Sequence, residues 1–207
     1  MKWLFFDLGA TLVDESAVYK SRCEFAAREL GIGLAEFMEK VYEQAAVSPT
    51  PIRSAAKACG IDLPEWDSSL EKLYAGASDV VSALHGKYRL GIIANQSLGT
   101  QERIDNWGIG KYFDVVMASA EADCAKPDPR IFTAALQKAG CEAGEAVMIG
   151  DRLDNDIVPA KKLGMKTVWV RQAYAIYQSI DDESKRPDHI VDSIEELPGL
   201  FSAPGVL

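Results

Sequence analysis

Three short apolar runs each stop at a polar residue, and that recurrence limits the folds open to this chain. Trp3-Leu4-Phe5-Phe6 runs into Asp7, Leu90-Gly91-Ile92-Ile93-Ala94 into Asn95, and Val147-Met148-Ile149-Gly150 into Asp151. Apolar runs this short, with no polar alternation, read as strands covered on both faces. Further strand patterns lie at 114–119, 167–170 and 189–191. Helical spacing separates them: Val80, Val81 and Leu84; Gln101 to Trp107; Phe132, Ala135, Leu136 and Ala139 after the Asp128-Pro129 start; Ile157 to Leu163; and a closing turn from Ile194 to Leu200. Strand alternating with helix predicts an α/β fold with a doubly wound, Rossmann-like parallel sheet. In such sheets the carboxyl ends of the strands open on the ligand crevice, so Asp7, Asn95 and Asp151 should share one rim. A single aspartate after a strand could equally start a turn or cap a helix.

The first and second of those strands are separated by a long helical stretch. Tyr19, Cys23, Ala26 and Leu30 form one amphipathic stripe, and Leu34, Phe37, Met38, Val41, Tyr42 and Ala45 a second. Pro49-Thr50-Pro51 breaks the chain; Ile52, Ala55, Ala56 and Cys59 suggest a third helix, and Leu70, Leu73 and Tyr74 a fourth. An insert of this length is too long for an ordinary crossover, so 15–77 is expected to form a small helical unit over a core built from 1–14 and 78–207.

Net charge of -9 and a pI near 4.8 argue against a nucleic-acid backbone or an anionic membrane as the main partner. A small anion is still compatible, because a bound cation and a lysine can reverse the field locally. Cys23, Cys59, Cys124 and Cys141 are widely spaced, which fits packed thiols in a reducing compartment. No apolar run approaches the roughly 18 residues of a membrane span, and the N-terminus lacks a leader pattern, so a cytoplasmic protein is expected. Nothing in the sequence specifies an oligomeric state.

The chemistry concentrates in two further places. Lys126 stands in Ala125-Lys126-Pro127-Asp128-Pro129, and Asp151-Arg152-Leu153-Asp154-Asn155-Asp156 puts three carboxylates in six residues. Those carboxylates would repel one another unless a cation or the lysine ammonium lies among them. Taken together, Asp7, Asn95, Lys126 and the Gly150-Asp151 to Asp156 segment resemble the motifs of the haloacid dehalogenase superfamily of hydrolases, most of which are phosphatases. The resemblance implies a helical cap inserted after the first strand. It implies Asp7 as nucleophile with Lys126 beside it, and Mg²⁺ held by Asp7, the Gly9 carbonyl and Asp151, with Asp156 behind. It also implies a substrate-binding set of Thr11, Ala94, Asn95 and Lys126. Asp14 and Asp154 read as caps or loop carboxylates. In the cap, Arg22, Arg53 and Trp66 could reach a substrate, although an exposed arginine and a packed tryptophan are the ordinary expectation for such residues.

Two positions depart from the family pattern. Gly9 stands where phosphatases carry the aspartate that moves protons, and Ala94 where they carry a phosphoryl-binding hydroxyl. General acid-base help contributes about 10² to 10⁴-fold. Its loss predicts a slow Mg²⁺-dependent phosphatase of a small phosphate monoester, or else a family member that only binds phosphate or a partner. Family members without an acid at the Gly9 position include dehalogenases, which use no metal and lack the acids of the last motif, phosphonate hydrolases, which use a cap lysine where this chain offers only Lys40 and Lys57 in no recognisable context, and some sugar-phosphate phosphatases.

Overall fold

The strand that ends at Asp7 lies in the middle of the sheet. In the computed structural model, which describes residues 2–48 and 50–202, the chain runs β1 (Trp3–Phe6), β2 (Val13–Asp14), α1 (Ser16–Leu30), α2 (Leu34–Ala45), α3 (Pro51–Ala58), β3 (Lys72–Leu73), α4 (Ala77–His85), β4 (Arg89–Ala94), α5 (Thr100–Asn106), β5 (Val115–Ala118), α6 (Ser119–Ala122), α7 (Pro129–Ala139), β6 (Ala146–Gly150), α8 (Val158–Lys162), β7 (Lys166–Val170), β8 (His189–Val191) and α9 (Leu197–Leu200). Six strands pair in parallel in the order β5-β4-β1-β6-β7-β8. The chain leaves β1 toward β4 on one side and later returns to β6 on the other. That reversal of strand order creates a crevice at the carboxyl ends of β1, β4 and β6, the three strands whose polar termini stand out in the sequence.

Side chains alternate across each strand, so the apolar runs feed two cores. Leu4, Phe6, Leu90, Ile92, Val147 and Ile149 pack on one face with Val80, Val81 and Leu84 of α4 and with Leu197 of α9. Trp3, Phe5, Ile93 and Met148 pack on the other with Ile131, Phe132 and Ala135 of α7 and with Ala160 of α8. Both faces of the sheet are buried, which is why the strands lack polar alternation. Gly91 carries no side chain because the Phe5 ring occupies the space: a Cβ there would lie 2.5 Å from two ring carbons. Asp128 caps α7, accepting from the Arg130 amide at 2.9 Å, with Pro129 in the first turn.

α1, α2 and α3 form their own cluster around Cys23, Ala26, Phe37, Val41, Ile52, Ala55 and Ala56, all buried. The fourth helix expected around Leu70 and Tyr74 does not form. A 3₁₀ turn at Ser68–Leu70 leads instead into β3, which pairs antiparallel with β2 through Val13↔Leu73 and Asp14↔Lys72. The chain leaving the sheet and the chain returning to it satisfy each other's backbone groups at the neck of the insert, and this cross-strand pairing outweighs the local helical spacing. Pro49, expected to help break the chain, lies outside the described residues.

The helical insert rests on the sheet through a 3₁₀ segment after β7, Ala173–Tyr177. The Tyr174 ring sits 5.3 Å from that of Tyr19, and Tyr177 4.9 Å from Tyr42. Arg152 adds a hydrogen bond from Nη2 to the Ser48 carbonyl at 2.8 Å. Among the described residues no helix is long and apolar enough to cross a membrane.

Candidate active site

Asp7, one residue past β1, keeps its backbone in the ladder by donating from its amide to the Ile149 carbonyl at 2.8 Å. Its side chain faces Lys126, whose Nζ lies 2.6 Å from Asp7 Oδ1 and 2.6 Å from Asp156 Oδ1. Lys126 is 5 % exposed and Asp7 8 %, and both line a cavity of about 540 Å³ between the sheet rim and the inserted helices, whereas Asp156, at 0 %, does not. Burial by itself would lower the lysine's pKa; the charges of Asp156 and Asp7 outweigh it and hold the ammonium above its ordinary value.

Each partner is fixed by a specific local feature. Gly150 ends β6 because a side chain there would overlap the Asp156 carboxylate. Asp156 Oδ2 accepts from the Arg152 amide at 2.9 Å, so both of its oxygens are engaged. The Asp151 backbone is held by the Trp169 indole, which donates to its carbonyl at 2.7 Å. Asn95 pins the lysine from the β4 side: it accepts from the Lys126 amide at 2.7 Å and donates to the Lys126 carbonyl at 2.9 Å. The turn after β1 puts Ala10 at φ +55°, a conformation that costs a non-glycine residue about 1–2 kcal/mol. The Ala10 amide donates to the Val13 carbonyl at 2.8 Å, and Gln172 donates to the Ala10 carbonyl at 2.7 Å, which together keep the turn in place.

Carboxylate oxygens of Asp7, Asp151 and Asp156 all lie within 4.8 Å of one another. Burial, reinforced by the charges of Asp156 and Asp7, drives the Asp151 carboxyl well above the usual range, and burial lifts Asp156 to about 6 despite Lys126. Among the described residues no side chain donates a hydrogen bond to the Asp151 carboxylate. Hard, crowded oxygens with one lysine between three carboxylates suit a small divalent cation such as Mg²⁺. Gly9, whose carbonyl completes the expected ligand set, lines the same cavity.

These shifts have a sign that can be measured. A carboxyl whose folded pKa is raised binds its proton more tightly in the folded state, so stability is lost as pH climbs from about 4 through the folded values. With EDTA the Tm should therefore fall between pH 5 and pH 7.5. Millimolar MgCl₂ should flatten that fall by stabilising the ionised carboxylates. Thermal melts that show the same pH slope in both buffers would remove the cation from this site.

The inserted chain contributes a carboxyl that motif reading overlooks. A side chain on Gly9 would overlap the Glu15 carboxyl, so Glu15 occupies the volume that an acid at position 9 would fill. Glu15 precedes α1 yet makes no capping hydrogen bond, a role left to Asp14, which accepts from the Ser16 amide at 2.9 Å. It lines the cavity beside Asp7, accepts a hydrogen bond from the Tyr19 hydroxyl and is pushed up to about 7, chiefly by burial and then by Asp7 and Glu71. An acid directly before a helix after a strand-turn was the available signal, and the same letters spell an ordinary cap.

Other expected residues are placed differently. Thr11 and Ala94 do not line the cavity: both are fully buried, Ala94 within the core, and the Thr11 hydroxyl has no partner. Asn95 does line it, although its amide group is spent on Lys126. Lys40 and Lys57 are not among the cavity residues, while Arg22, Arg53 and Trp66 are. Arg22 is not the exposed helix arginine expected, being only 9 % exposed. Asp154, expected as a loop carboxylate or cap, lies in a π-helical turn at Leu153–Ile157 and pairs with Arg152 at 3.0 Å.

The family model for "Haloacid dehalogenase-like hydrolase" matches residues 4–170, a span that includes Asp7, Lys126 and Asp156. The chain belongs to this hydrolase family. Among its relatives, glyceraldehyde 3-phosphate phosphatase from Pyrococcus abyssi is 32% identical over 83% of this chain and 82% of that protein. Pyrimidine 5'-nucleotidase YjjG from Escherichia coli is 32% identical over 61% of this chain and 55% of its own length. A solved structure, the HAD phosphatase from Thermococcus onnurineus, superposes with a TM-score of 0.65 at 25% identity, covering 97% of this chain and 98% of that one. Against several curated hydrolases of the family the chain spans only about half of the relative's length.

Proposed function

We propose that this hydrolase is a Mg²⁺-dependent phosphatase of a small cytosolic phosphate monoester, working through a phosphoryl group carried transiently on Asp7. The observation that carries the reading is the buried Lys126 ammonium shared between Asp7, which faces the cavity, and Asp156, which does not. Asp7 attacks phosphorus as a carboxylate, and the lysine keeps that carboxylate ionised and oriented while offering positive charge to the transferring oxygens. Asp7, Asp151 and the Gly9 carbonyl would hold a divalent cation, which would supply the rest of the charge neutralisation. Lys126 is in turn positioned by Asp156 and Asn95. The phosphatase names carried by its relatives point the same way. The absence of Lys40 and Lys57 from the cavity lining disfavours a Schiff-base mechanism.

Glu15 answers the objection that Gly9 raises. In the first step the ester P–O bond breaks as Asp7 bonds to phosphorus, and the Glu15 carboxyl gives its proton to the departing alkoxide. In the second the Glu15 carboxylate takes a proton from water as the water attacks phosphorus, the Asp7–P bond breaks and inorganic phosphate leaves. A carboxyl pushed up to about 7 suits both directions of transfer at neutral pH. Tyr19 holds it in place, and α1 to α3 act as a cap that keeps bulk water away. Glu15→Gln is expected to slow the phosphorylation of Asp7, read in single-turnover release of the alcohol, by about 10² to 10⁴-fold for alkyl phosphates and by much less for p-nitrophenyl phosphate, whose leaving group needs no proton, and to slow the shared hydrolysis of the Asp7 phosphoryl group for both. Equal losses in that first step on both substrates would remove Glu15 as the acid.

Phosphate release from a panel of sugar, glycerol and nucleotide monophosphates, with Mg²⁺ and with EDTA, tests the whole assignment. Release that is insensitive to EDTA, or no release from any ester, defeats it. Phosphate binding without turnover would favour the alternative of a family member that binds without catalysing.

A further inference from the structure

The cavity has a second cationic end, and the proton and phosphoryl chemistry leaves it unused. α1 contributes Arg22 and the first turn of α3 contributes Arg53, both lining the cavity from the inserted helices. Glu15, Tyr19 and Arg22 are spaced at four and three residues, one stripe of a helix, and all three line the cavity. Arg22 therefore lies about 10 Å along the helix axis from Glu15, with its side chain leaning back toward the helix start.

Arg22 is buried without an ionic partner. It is 9 % exposed, its Nε is fully buried and has no hydrogen-bond acceptor, and its guanidinium carbon lies 5.5 Å from the centre of the Trp66 ring. No carboxylate forms an ion pair with Arg22 or with Arg53 among the described residues. Glu65 lines the same cavity and attracts Arg22, yet stays beyond ion-pair distance, while Arg53 repels it. In a chain of net charge -9, carboxylates are abundant, so leaving two arginines unpaired at the wall of one cavity is not the consequence of scarcity. Of its nitrogens only Nε is sealed off without a partner, so the terminal nitrogens stay open to the cavity, and contact with an aromatic face satisfies none of these donors. Those terminal donors are therefore free to meet a planar or tetrahedral anion.

We infer that Arg22 and Arg53 form a subsite for a second anionic group on the substrate, so that the ester hydrolysed is a short phosphate monoester bearing a carboxylate or a further phosphoryl group at the end away from Asp7. Trp66 is the aromatic face over which the Arg22 guanidinium carbon lies. This inference rests on the phosphatase reading above and narrows its substrate class.

The test compares kcat/KM, with Mg²⁺ present, for glycerol 3-phosphate, for 3-phosphoglycerate, in which a carboxylate replaces the terminal alcohol, and for propane-1,3-diol bisphosphate. p-Nitrophenyl phosphate reports phosphatase activity as such. Hydrogen bonds to charged groups contribute about 1.5–3 kcal/mol each, so the unmodified protein should prefer one of the two doubly anionic esters over glycerol 3-phosphate by about ten- to hundredfold. Preference for the phosphoglycerate assigns a carboxylate, and preference for the bisphosphate a phosphoryl group. In Arg22→Gln the preference should shrink toward unity, with the loss mainly in KM, and Arg22→Lys should recover part of it. Arg53→Gln, at an exposed position where the fold is not at stake, should reduce the same ratio. Turnover of p-nitrophenyl phosphate with no preference among the three esters, or a preference that survives both glutamine variants, overturns the subsite while leaving the phosphatase standing. Failure to turn over p-nitrophenyl phosphate at all defeats the phosphatase reading and the subsite with it.

Discussion

Asp7→Asn should abolish phosphate release, with kcat falling by about 10⁴-fold or more on every ester, because no other side chain can take over a lost nucleophile. The fold should survive it. Asp7 is one of the charges that raise both Asp151 and Asp156, so neutralising it relieves repulsion in the carboxylate cluster. The expected Tm in EDTA at neutral pH is therefore unchanged or higher than that of the unmodified protein. Rapid acid quenching during turnover, followed by mass spectrometry, should show a phosphoryl adduct on the peptide containing Asp7, and no adduct in the variant. Retained turnover in Asp7→Asn would end the covalent mechanism whatever the fate of the family assignment.

Lys126→Met should show the largest loss of stability. The side chain is similar in length and apolar, so packing is nearly conserved, but two carboxylates lose the ammonium that lies 2.6 Å from each. Removing one partner of a buried ion pair costs about 3–5 kcal/mol, most of it the penalty for the charge left behind. Asp156 bears that penalty, since it is fully buried and its other oxygen is already committed to the Arg152 amide. Chemical denaturation in EDTA is the measurement, and adding Asp156→Asn should return a large share of the loss, because the pair is coupled and the neutral amide no longer needs a cation. If Lys126→Met and the double variant were equally destabilised, the ion pair would not be the source. Activity should be lost in both, since Lys126 also supports Asp7.

Much of this site can be read from consecutive residues. Asp7, Asn95 and Asp151 each follow an apolar run with no polar alternation, and a sheet buried on both faces requires such runs. The reversal of strand order then brings their ends together, so the rim of the sheet follows from local pattern plus a general rule of parallel sheets. Lys126 and Asp156 could be added because their spacing matches a recurrent motif. The helix proposed near Tyr74 failed for the converse reason: its spacing was suitable, but β2 offered a pairing partner from nearly sixty residues earlier.

The chain's letters alone determined the parallel α/β core, the inserted helices and the cluster of acids around one lysine, since each depends on short-range periodicity or on a fixed motif. Tertiary structure alone decided which further charged groups meet at the cavity. Glu15 reaches the empty volume beside Gly9 only because the turn after β1 folds α1 back over it. Arg22 becomes buried and unpaired only once α1, α3 and Trp66 close around the same cavity. Both outcomes depend on the direction in which a helix leaves the sheet, a property of packing between distant segments that no local spacing encodes.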